Sequence, residues 1–341
     1  MDYPFDVCIL ASYFVVIFIL LWRVENVLGI AWQHKNLVAN IFFLLALLSF
    51  GATWTYMFKY FQYSYDMWSV HHKDIAPEFW NKISHWLHDS SLFDDAWRTV
   101  SLGVWPWIWS LQLCNFTVAV WTPFLAIESV RRGIRYPWAF MLLGQVVAIS
   151  VASALFFAVA WTMPRFQYAP SRTSGAVLML SVIGGCVTVV MSPFVANTVY
   201  FMPNLLVMHA LLIFPLVSNT EPDETEKRKH GSHLVMTLYT AAAGANFAIY
   251  VAHCFECLMT LSSIWDILPQ LVCTFLAHPA QSSISADIVF VNLISIAWIV
   301  VNGRETWHWY VAGLTPFLSA SVTLPLFLAG QEYDLIAFKL E

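Results

Sequence analysis

Long apolar runs recur along this chain and constrain its fold more than any other feature of the sequence. A transmembrane helix needs about 20 mostly apolar residues, and nine runs come close to that length. They lie near residues 6–22, 37–58, 105–128, 137–161, 175–192, 196–217, 233–252, 286–301 and 309–329. A further apolar stretch at 257–276 is interrupted by Asp266 and Pro269. We therefore expect an all-α, polytopic transmembrane bundle of about 8–9 helices, with residues 1–341 forming one membrane domain.

The region 175–217 is the least certain part of this count, because Pro193 and Pro203 either break one helix or separate two.

The composition supports the membrane assignment. Hydrophobic residues make up 59% of the chain and charged residues 11%, against roughly 45–50% and about 25% in soluble globular proteins. The net charge of −5 provides no basic face for nucleic acid, so the predicted partner is the lipid bilayer.

Basic residues near the ends of the runs predict the orientation, because they favour the cytoplasmic side. Arg23 and Lys35 lie near the first loop, and three arginines lie within 131–135. Both loops are therefore expected to be cytoplasmic, which places the N-terminus and the 59–98 loop in the lumen, with the endoplasmic reticulum as the expected membrane. The basic residues at 227–229 also favour the cytoplasm. Two full crossings between 175 and 217 would place them in the lumen. Either one of these runs does not cross the membrane, or the number of crossings elsewhere in the chain differs from the prediction.

The 59–98 loop contains an amphipathic pattern. In APEFWNKISHWLHDSSLF, residues 76–93, large apolar side chains recur at helical spacing with polar side chains opposite. This pattern predicts a helix lying in the membrane interface. His85 and His88 form an HxxH pair, which raises the alternative of a metal-dependent lipid oxidase. Such enzymes need several histidine clusters, whereas the histidines here are scattered, so a solvated helix face is the simpler interpretation.

Polar side chains within or beside the apolar runs are the candidate functional residues. They are costly in lipid unless partnered, so each marks either a contact between helices or a functional site. Any one of them alone is explained equally well by packing, whereas several together predict a shared polar pocket. The predicted catalytic residues are Glu128, Asp287 and His278. The predicted substrate-binding residues are Gln112, Gln145, Trp109, His209, Gln281, Glu256 and Asp266.

Four stretches resemble the fungal integral-membrane terpene cyclases of the ascofuranone and macrophorin pathways. They are DDAWRTV (94–100), SLQLCNFTVAVWTPFLAIESVRRG (110–133), WAFMLLGQVVAISVASALFF (138–157) and HPAQSSISAD (278–287). The resemblance extends over most of the chain but consists of packing and polar residues, not of a diagnostic catalytic signature. It implies cyclisation of a farnesylated meroterpenoid precursor, begun by protonation of a terminal epoxide or alkene.

The residues agree with that chemistry independently. Proton-initiated cyclisation needs a carboxylic acid that stays protonated at neutral pH, which burial promotes. Glu128 or Asp287 is expected to supply this acid, and the other carboxyl group or His278 to accept the terminating proton. Aromatic walls stabilise the carbocation. Asp94 and Asp95 are followed by Arg98, which breaks the DDxxD-type motif of diphosphate-ionising cyclases and prenyltransferases. The DxDD motif of soluble protonating cyclases is absent as well. We predict no metal site and no cofactor.

Two other functions stay open. Intramembrane acids, prolines and the interrupted stretch near Asp266 also suit a transporter or receptor for a hydrophobic small molecule, although no repeat between the two halves of the sequence is evident. A lipid isomerase that uses the same acid chemistry without ring closure is equally compatible with the sequence.

Overall fold

The computed structural model describes residues 2–72, 78–166, 172–217 and 233–337. All regular secondary structure in these ranges is helical, which confirms the all-α prediction. The basic residues at 227–229 lie outside the described residues. The described part contains fourteen continuous helices: α1 (Pro4–Gln33), α2 (Leu37–His71), α3 (Phe79–Asp89), α4 (Leu92–Ser101), α5 (Val104–Arg132), α6 (Pro137–Val146), α7 (Ile149–Thr162), α8 (Arg172–Val195), α9 (Phe201–Val217), α10 (His233–Met259), α11 (Ile264–Ala277), α12 (Pro279–Asn302), α13 (Thr306–Leu318) and α14 (Ala320–Ala337).

By length and composition, six of the described helices are able to cross a membrane: α1, α2, α5, α8, α10 and α12. Helix α5 is the centre of the bundle, because 94% of its most apolar stretch is buried. A π-helical segment at Thr117–Trp121 interrupts the α-helical geometry of α5, a feature that often accompanies functional sites. The chain is therefore built as an integral membrane protein around one buried central helix.

The predicted count of 8–9 helices is wrong, and one reason is the run 137–161, which forms two helices instead of one crossing. Helices α6 and α7 fold back on each other, because Phe140 packs on Phe156 with ring centroids 5.2 Å apart. The C-terminus of α7 returns to the C-terminus of α5, where the Arg132 guanidinium donates to the Met163 carbonyl at 3.1 Å. Helices α6 and α7 are thus a re-entrant hairpin, whose tip at 147–148 lies inside the bundle.

The run 309–329 forms a second re-entrant hairpin from α13 and α14. The hydroxyl groups of Thr315 and Thr323 are 2.8 Å apart near its tip, and the rings of His308 and Phe327 lie 4.9 Å apart nearer its base. The tip is Ser319, whose φ of 71° lies in the left-handed region and ends α13. Both hairpins thus bury non-helical backbone within protein, which is where such backbone is tolerated at membrane depth.

The two hairpins share a short stretch of similar sequence. The sequences that begin α7 and α14, ISVASALFFAV (149–159) and ASVTLPLFLAG (320–330), are identical at five of eleven aligned positions. The helix before each hairpin ends at a glycine, Gly133 after α5 and Gly303 after α12. The C-terminal ends of α5 and α12, after which the two hairpins begin, lie on the same side of the bundle, because the Arg132 guanidinium lies over the Trp298 ring.

The re-entrant hairpin also changes the number of crossings expected between α5 and α9. Because α6 and α7 enter and leave on one side, they contribute no crossing. Helices α8 and α9 form an antiparallel pair, in which the Asn204 amide donates to the Thr188 carbonyl at 2.9 Å. Their connecting turn lies beside α4, where Arg98 donates to the Thr198 carbonyl at 3.0 Å. Helix α9 therefore ends on the same side of the bundle as α5, whereas the basic residues at 227–229 lie outside the described residues. The names of the two sides, cytoplasm and lumen, stay predictions.

The predicted 59–98 loop is shorter than expected, because α2 continues to His71 and α4 begins at Leu92. Between them lies the helix Phe79–Asp89. Phe79 and Trp80 are more than half exposed, whereas Trp86 is buried. The two histidines of the HxxH pair bind acids near the N-terminus: His85 lies 2.9 Å from Asp2 and His88 lies 3.0 Å from Asp6. These contacts tie α3 to the start of α1, while the position of α3 in a membrane interface stays a prediction.

Candidate functional site

The tip of the first hairpin forms one wall of a cavity within the bundle. The cavity has an empty volume of about 1060 Å³, a figure that includes the open space at its mouth. Residues 144–149 line it on one side, and α1, α2, α4, α5, α9 and α12 supply the remaining walls. Three predicted site residues from three separate parts of the chain meet at this cavity: Gln145, His209 and Asp287.

Asp287 on α12 lies where the backbone of the hairpin tip needs acceptors. The first N–H groups of a helix have no intrahelical partner, and Ala148, at the N-cap of α7, has no side-chain oxygen. The carboxyl group of Asp287 takes this role: Oδ2 accepts from the Ile149 N–H at 3.1 Å, and Oδ1 accepts from the Ser150 N–H at 2.8 Å. Asp287 thus caps α7 from a different helix, and its side chain also lines the cavity.

A short chain of hydroxyl groups extends from this carboxyl group into the protein. The Ser150 hydroxyl donates to Asp287 Oδ1, and it also forms a hydrogen bond with the Ser49 hydroxyl of α2. Both serines are completely buried. Oδ1 therefore accepts two hydrogen bonds and Oδ2 accepts one, so Oδ2 is the oxygen with the free lone pair. Ser49 and Ser150 escaped the sequence analysis, because single serines in apolar helices carry no distinctive signal.

Gln145 and His209 give the cavity two further polar groups. The Gln145 Nε2 atom is buried and has no hydrogen-bond partner, which is costly for an amide donor. His209 donates from Nδ1 to the Leu205 carbonyl at 2.7 Å, so in its neutral form Nε2 is an acceptor. The cavity thus combines a carboxyl group, an unpaired amide donor and an imidazole.

The rest of the lining is apolar and aromatic. Tyr13, Tyr60, Phe93 and Trp97 present rings to the cavity. The Tyr13 hydroxyl donates to the Val146 carbonyl, which satisfies an acceptor that the end of α6 leaves free. Among the described lining residues, Asp287 is the one carboxylate, and there is no lysine or arginine. The cavity is therefore suited to an uncharged hydrophobic molecule.

Glu128 lies apart from this cavity in a buried ion-pair cluster. Its oxygens accept from Arg131 at 3.2 Å, Arg132 at 2.8 Å and Arg165 at 2.7 Å. Arg131 also pairs with Glu332 of α14. A carboxylate held by three guanidinium groups is a poor proton donor, since each of them favours its charged form. This placement favours a structural role, in which the cluster joins the bases of both hairpins to α5.

His278 lies outside the cavity lining and caps α12. Its Nδ1 atom accepts from the Ala280 N–H at 3.2 Å, and its ring contacts Tyr60 and Tyr63. Burial lowers the pKa of His278, which favours the neutral ring that this cap requires. His278 is thus positioned to support the start of α12, whose next residues line the cavity.

The other predicted binding residues are dispersed. Gln112 donates to the Ile108 carbonyl of its own helix, and Trp109 packs on Phe275 with centroids 5.7 Å apart. Gln281 donates to Ser285, also within its own helix. The two remaining acids are exposed: Glu256 accepts from His253 at 3.0 Å, and Asp266 lies at the start of α11. None of the five is among the residues that line the described cavity.

Comparisons with known proteins give little further guidance. Residues 232–333 match a family described as a protein of unknown function, DUF2834. The matched region runs from α10 to α14 and includes the second hairpin, while the first hairpin lies outside it. No curated protein matches the chain, and no solved structure matches it.

Proposed function

We propose that this protein is a membrane-embedded terpene cyclase that isomerises a prenylated, uncharged substrate by proton-initiated cyclisation. The observation that carries the proposal is the position of Asp287, a buried carboxyl group at the wall of an otherwise apolar, aromatic cavity. The resemblance to fungal integral-membrane terpene cyclases supports the same reaction class. The substrate class is a farnesylated meroterpenoid precursor with a terminal epoxide or alkene.

The hydrogen bonds of Asp287 assign the roles of its two oxygens. Oδ1 accepts from the Ser150 N–H and hydroxyl groups, so the acidic proton resides on Oδ2. Transfer of that proton to the substrate opens the epoxide or generates a carbocation from the alkene. The N–H groups at the start of α7 then stabilise the carboxylate that remains, since a helix N-terminus favours negative charge. The hairpin tip thus stabilises the product of the proton transfer.

The other lining residues serve the steps that follow. The unpaired Gln145 amide donates to an oxygen of the substrate and holds it in place. The faces of Tyr13, Tyr60, Phe93 and Trp97 stabilise the carbocation as the ring closes, as aromatic faces do for cations. Loss of a proton from the final cation to the His209 Nε2 atom gives a product with the composition of the substrate. The apolar walls limit premature capture of the cation by water.

The electrostatics of the cavity argue against a diphosphate substrate. Ionisation of a prenyl diphosphate needs cationic groups or paired carboxylates that hold magnesium, and the described lining offers one carboxylate and no lysine or arginine. This distinguishes the proposed reaction from that of a prenyltransferase.

The test is product analysis by mass spectrometry. Membranes that contain the protein are incubated with a farnesylated phenol and with its terminal epoxide, without added divalent metal. The proposal predicts a product of unchanged mass and altered retention from one of them, absent from membranes without the protein. A lack of conversion of both substrates would count against the cyclase.

The pair of re-entrant hairpins favours a second candidate function, transport of a hydrophobic small molecule. Discontinuous helices that meet near the middle of a bundle are typical of transporter binding sites. A transporter would bind the same prenylated compounds unchanged. Flux of a labelled farnesylated phenol across proteoliposomes, without a new product, would support this alternative.

A further inference from the structure

We infer that the tip of the second hairpin, between α13 and α14, binds a monovalent cation such as sodium. The inference rests on the backbone of this tip and on one side chain that faces it, and it does not depend on the cyclase proposal. Both tips join two antiparallel helices inside the bundle, yet they differ in how their backbone oxygens are satisfied.

The second tip releases the last carbonyl groups of α13. In a continuous helix, the carbonyls of residues 316–318 would accept from the N–H groups of residues 320–322. Those N–H groups are used elsewhere. The N–H of Ala320 donates to the Asn292 amide oxygen at 2.8 Å. The N–H groups of Ser321 and Val322 donate to Ser319, at 3.4 Å to its hydroxyl and 3.1 Å to its carbonyl. The C-terminal end of α13 therefore presents carbonyl oxygens and the negative end of its dipole.

Asn246 on α10 adds an unpaired oxygen beside this tip. Its amide nitrogen donates to the Ser321 carbonyl at 2.7 Å, which fixes the amide group against the start of α14. Its Oδ1 atom is buried and has no hydrogen-bond partner, and the residue is fully inaccessible to solvent. A buried acceptor without a donor is costly, and a bound ion or water is the usual explanation.

Hydroxyl groups complete an oxygen-rich environment. Thr315, Ser319, Ser321 and Thr323 are all buried around the tip, with the Ser319 and Ser321 hydroxyls 3.3 Å apart. In the first tip, by contrast, the Tyr13 hydroxyl donates to the released carbonyl of α6. The carbonyls of residues 316–318 at the second tip receive no such side-chain donor from the described residues.

The chemistry of these oxygens selects the ion. The carbonyl, amide and hydroxyl oxygens at the tip are neutral, whereas calcium and magnesium sites rely on carboxylates and softer metals prefer sulfur or imidazole. Unwound backbone and the C-terminal ends of half-helices coordinate sodium in membrane transporters. A monovalent cation is therefore the ligand that suits this tip.

The test is thermal unfolding of the purified protein, followed by tryptophan fluorescence, in sodium, potassium or N-methylglucamine chloride at equal ionic strength. The inference predicts that Tm rises with the logarithm of the sodium or potassium concentration and stays lower in N-methylglucamine. Equal Tm values in all three salts would overturn it and assign the tip to ordered water.

Two variants locate the effect. Asn246→Leu should abolish the difference between salts, while the matched change Asn302→Leu, at the far end of α12, should preserve it. If Asn246→Leu does not fold, Asn246→Asp replaces the neutral ligand with a carboxylate and should strengthen the dependence on cations at least several-fold. An unchanged salt dependence in whichever variant folds would contradict the proposed site.

Discussion

The carboxyl group of Asp287 accepts a hydrogen bond from the backbone N–H of Ser150 at 2.8 Å, across 137 residues of sequence. This bond joins α12 to the tip of the first hairpin, and it places the one carboxyl group among the described lining residues where helix α7 begins. The same side chain therefore stabilises the hairpin and faces the cavity. Stability and chemistry are coupled at this position, so variants around it must separate the two.

Ser150→Ala provides that separation, because it removes the hydroxyl donor to Asp287 but keeps the backbone N–H. The hydroxyl bonds both Asp287 and Ser49, so its loss removes two hydrogen bonds and should cost about 2 kcal/mol of stability. It should also lower turnover about tenfold, because the acid is less well oriented. The matched control is Ser153→Ala, whose hydroxyl bonds the Ile149 carbonyl of its own helix. Turnover by product analysis and Tm are measured on both, and equal turnover in the two variants would contradict the role of Ser150.

Glu128→Gln should destabilise the protein without a specific effect on chemistry. The change removes the charge that three arginines surround and leaves them with less compensation in a buried site, which typically costs about 3 kcal/mol or more. Thermal unfolding should show this loss, while turnover per folded molecule stays near that of the native protein. Glu256→Gln, an exposed acid, is the control and should change neither quantity. A selective loss of turnover in Glu128→Gln at unchanged Tm would instead assign Glu128 to catalysis.

Gln145→Leu should have opposite effects on stability and on function. Replacing an amide whose nitrogen is buried and unpaired removes a desolvation cost of about 1–3 kcal/mol, so Tm should be unchanged or higher. Substrate binding should weaken, with KM raised about tenfold, because the donor to the substrate oxygen is lost. Leu212→Met, a conservative change in the same cavity, controls for altered packing. If Gln145→Leu lowered Tm and left KM unchanged, the amide would be a structural group.

The first hairpin predicts a specific membrane topology. Cysteines introduced at Arg135 and Arg165, on the two flanks of the hairpin, should react with an impermeant maleimide from the same side of the membrane. A cysteine at Thr198 should react from the opposite side. Exposed Cys8 and Cys273 are replaced by serine beforehand to lower the background. Labelling of positions 135 and 165 from opposite sides would mean that 137–161 crosses the membrane after all.

The cap formed by His278 predicts a dependence of stability on pH. Burial lowers the pKa of His278 below that of the unfolded chain, which is about 6.5. Its contribution to stability is therefore complete above the unfolded pKa and is lost as the pH falls through the folded pKa. His278→Asn keeps a side-chain cap but does not titrate, so its Tm should fall less than that of the native protein between pH 7 and 5. Parallel Tm curves would show that His278 does not contribute.

The sequence predicted the membrane class, the all-α architecture and most helix positions, because apolar runs report directly on burial in lipid. It did not predict the re-entrant hairpins. A run such as 137–161 has the length of one crossing, and nothing in its composition indicates that Val147 and Ala148 leave helical geometry. The turn is stabilised by Asp287, which is distant in sequence, and such a tertiary contact has no local signal.

The candidate site could be predicted only in part, because contacts between residues distant in sequence have no local signal. Intramembrane polar residues identified Asp287, Gln145 and His209, which the fold brings to one cavity. The same criterion also selected Glu128, because a buried carboxylate in an ion-pair cluster and a carboxyl group at a cavity look alike in sequence. Arg131, Arg132 and Arg165 are the partners that distinguish them, and Arg165 comes from the far flank of the hairpin.

The most direct test of the account is the turnover of Asp287→Asn with the farnesylated phenol or epoxide that the native protein converts. Asparagine keeps the shape of the side chain and one acceptor for the hairpin tip but has no acidic proton. The account predicts that turnover falls by about 10²–10⁴-fold in folded protein, while Asp266→Asn, an exposed acid, retains native turnover. Full turnover by folded Asp287→Asn would show that another group supplies the initiating proton and would contradict the central claim.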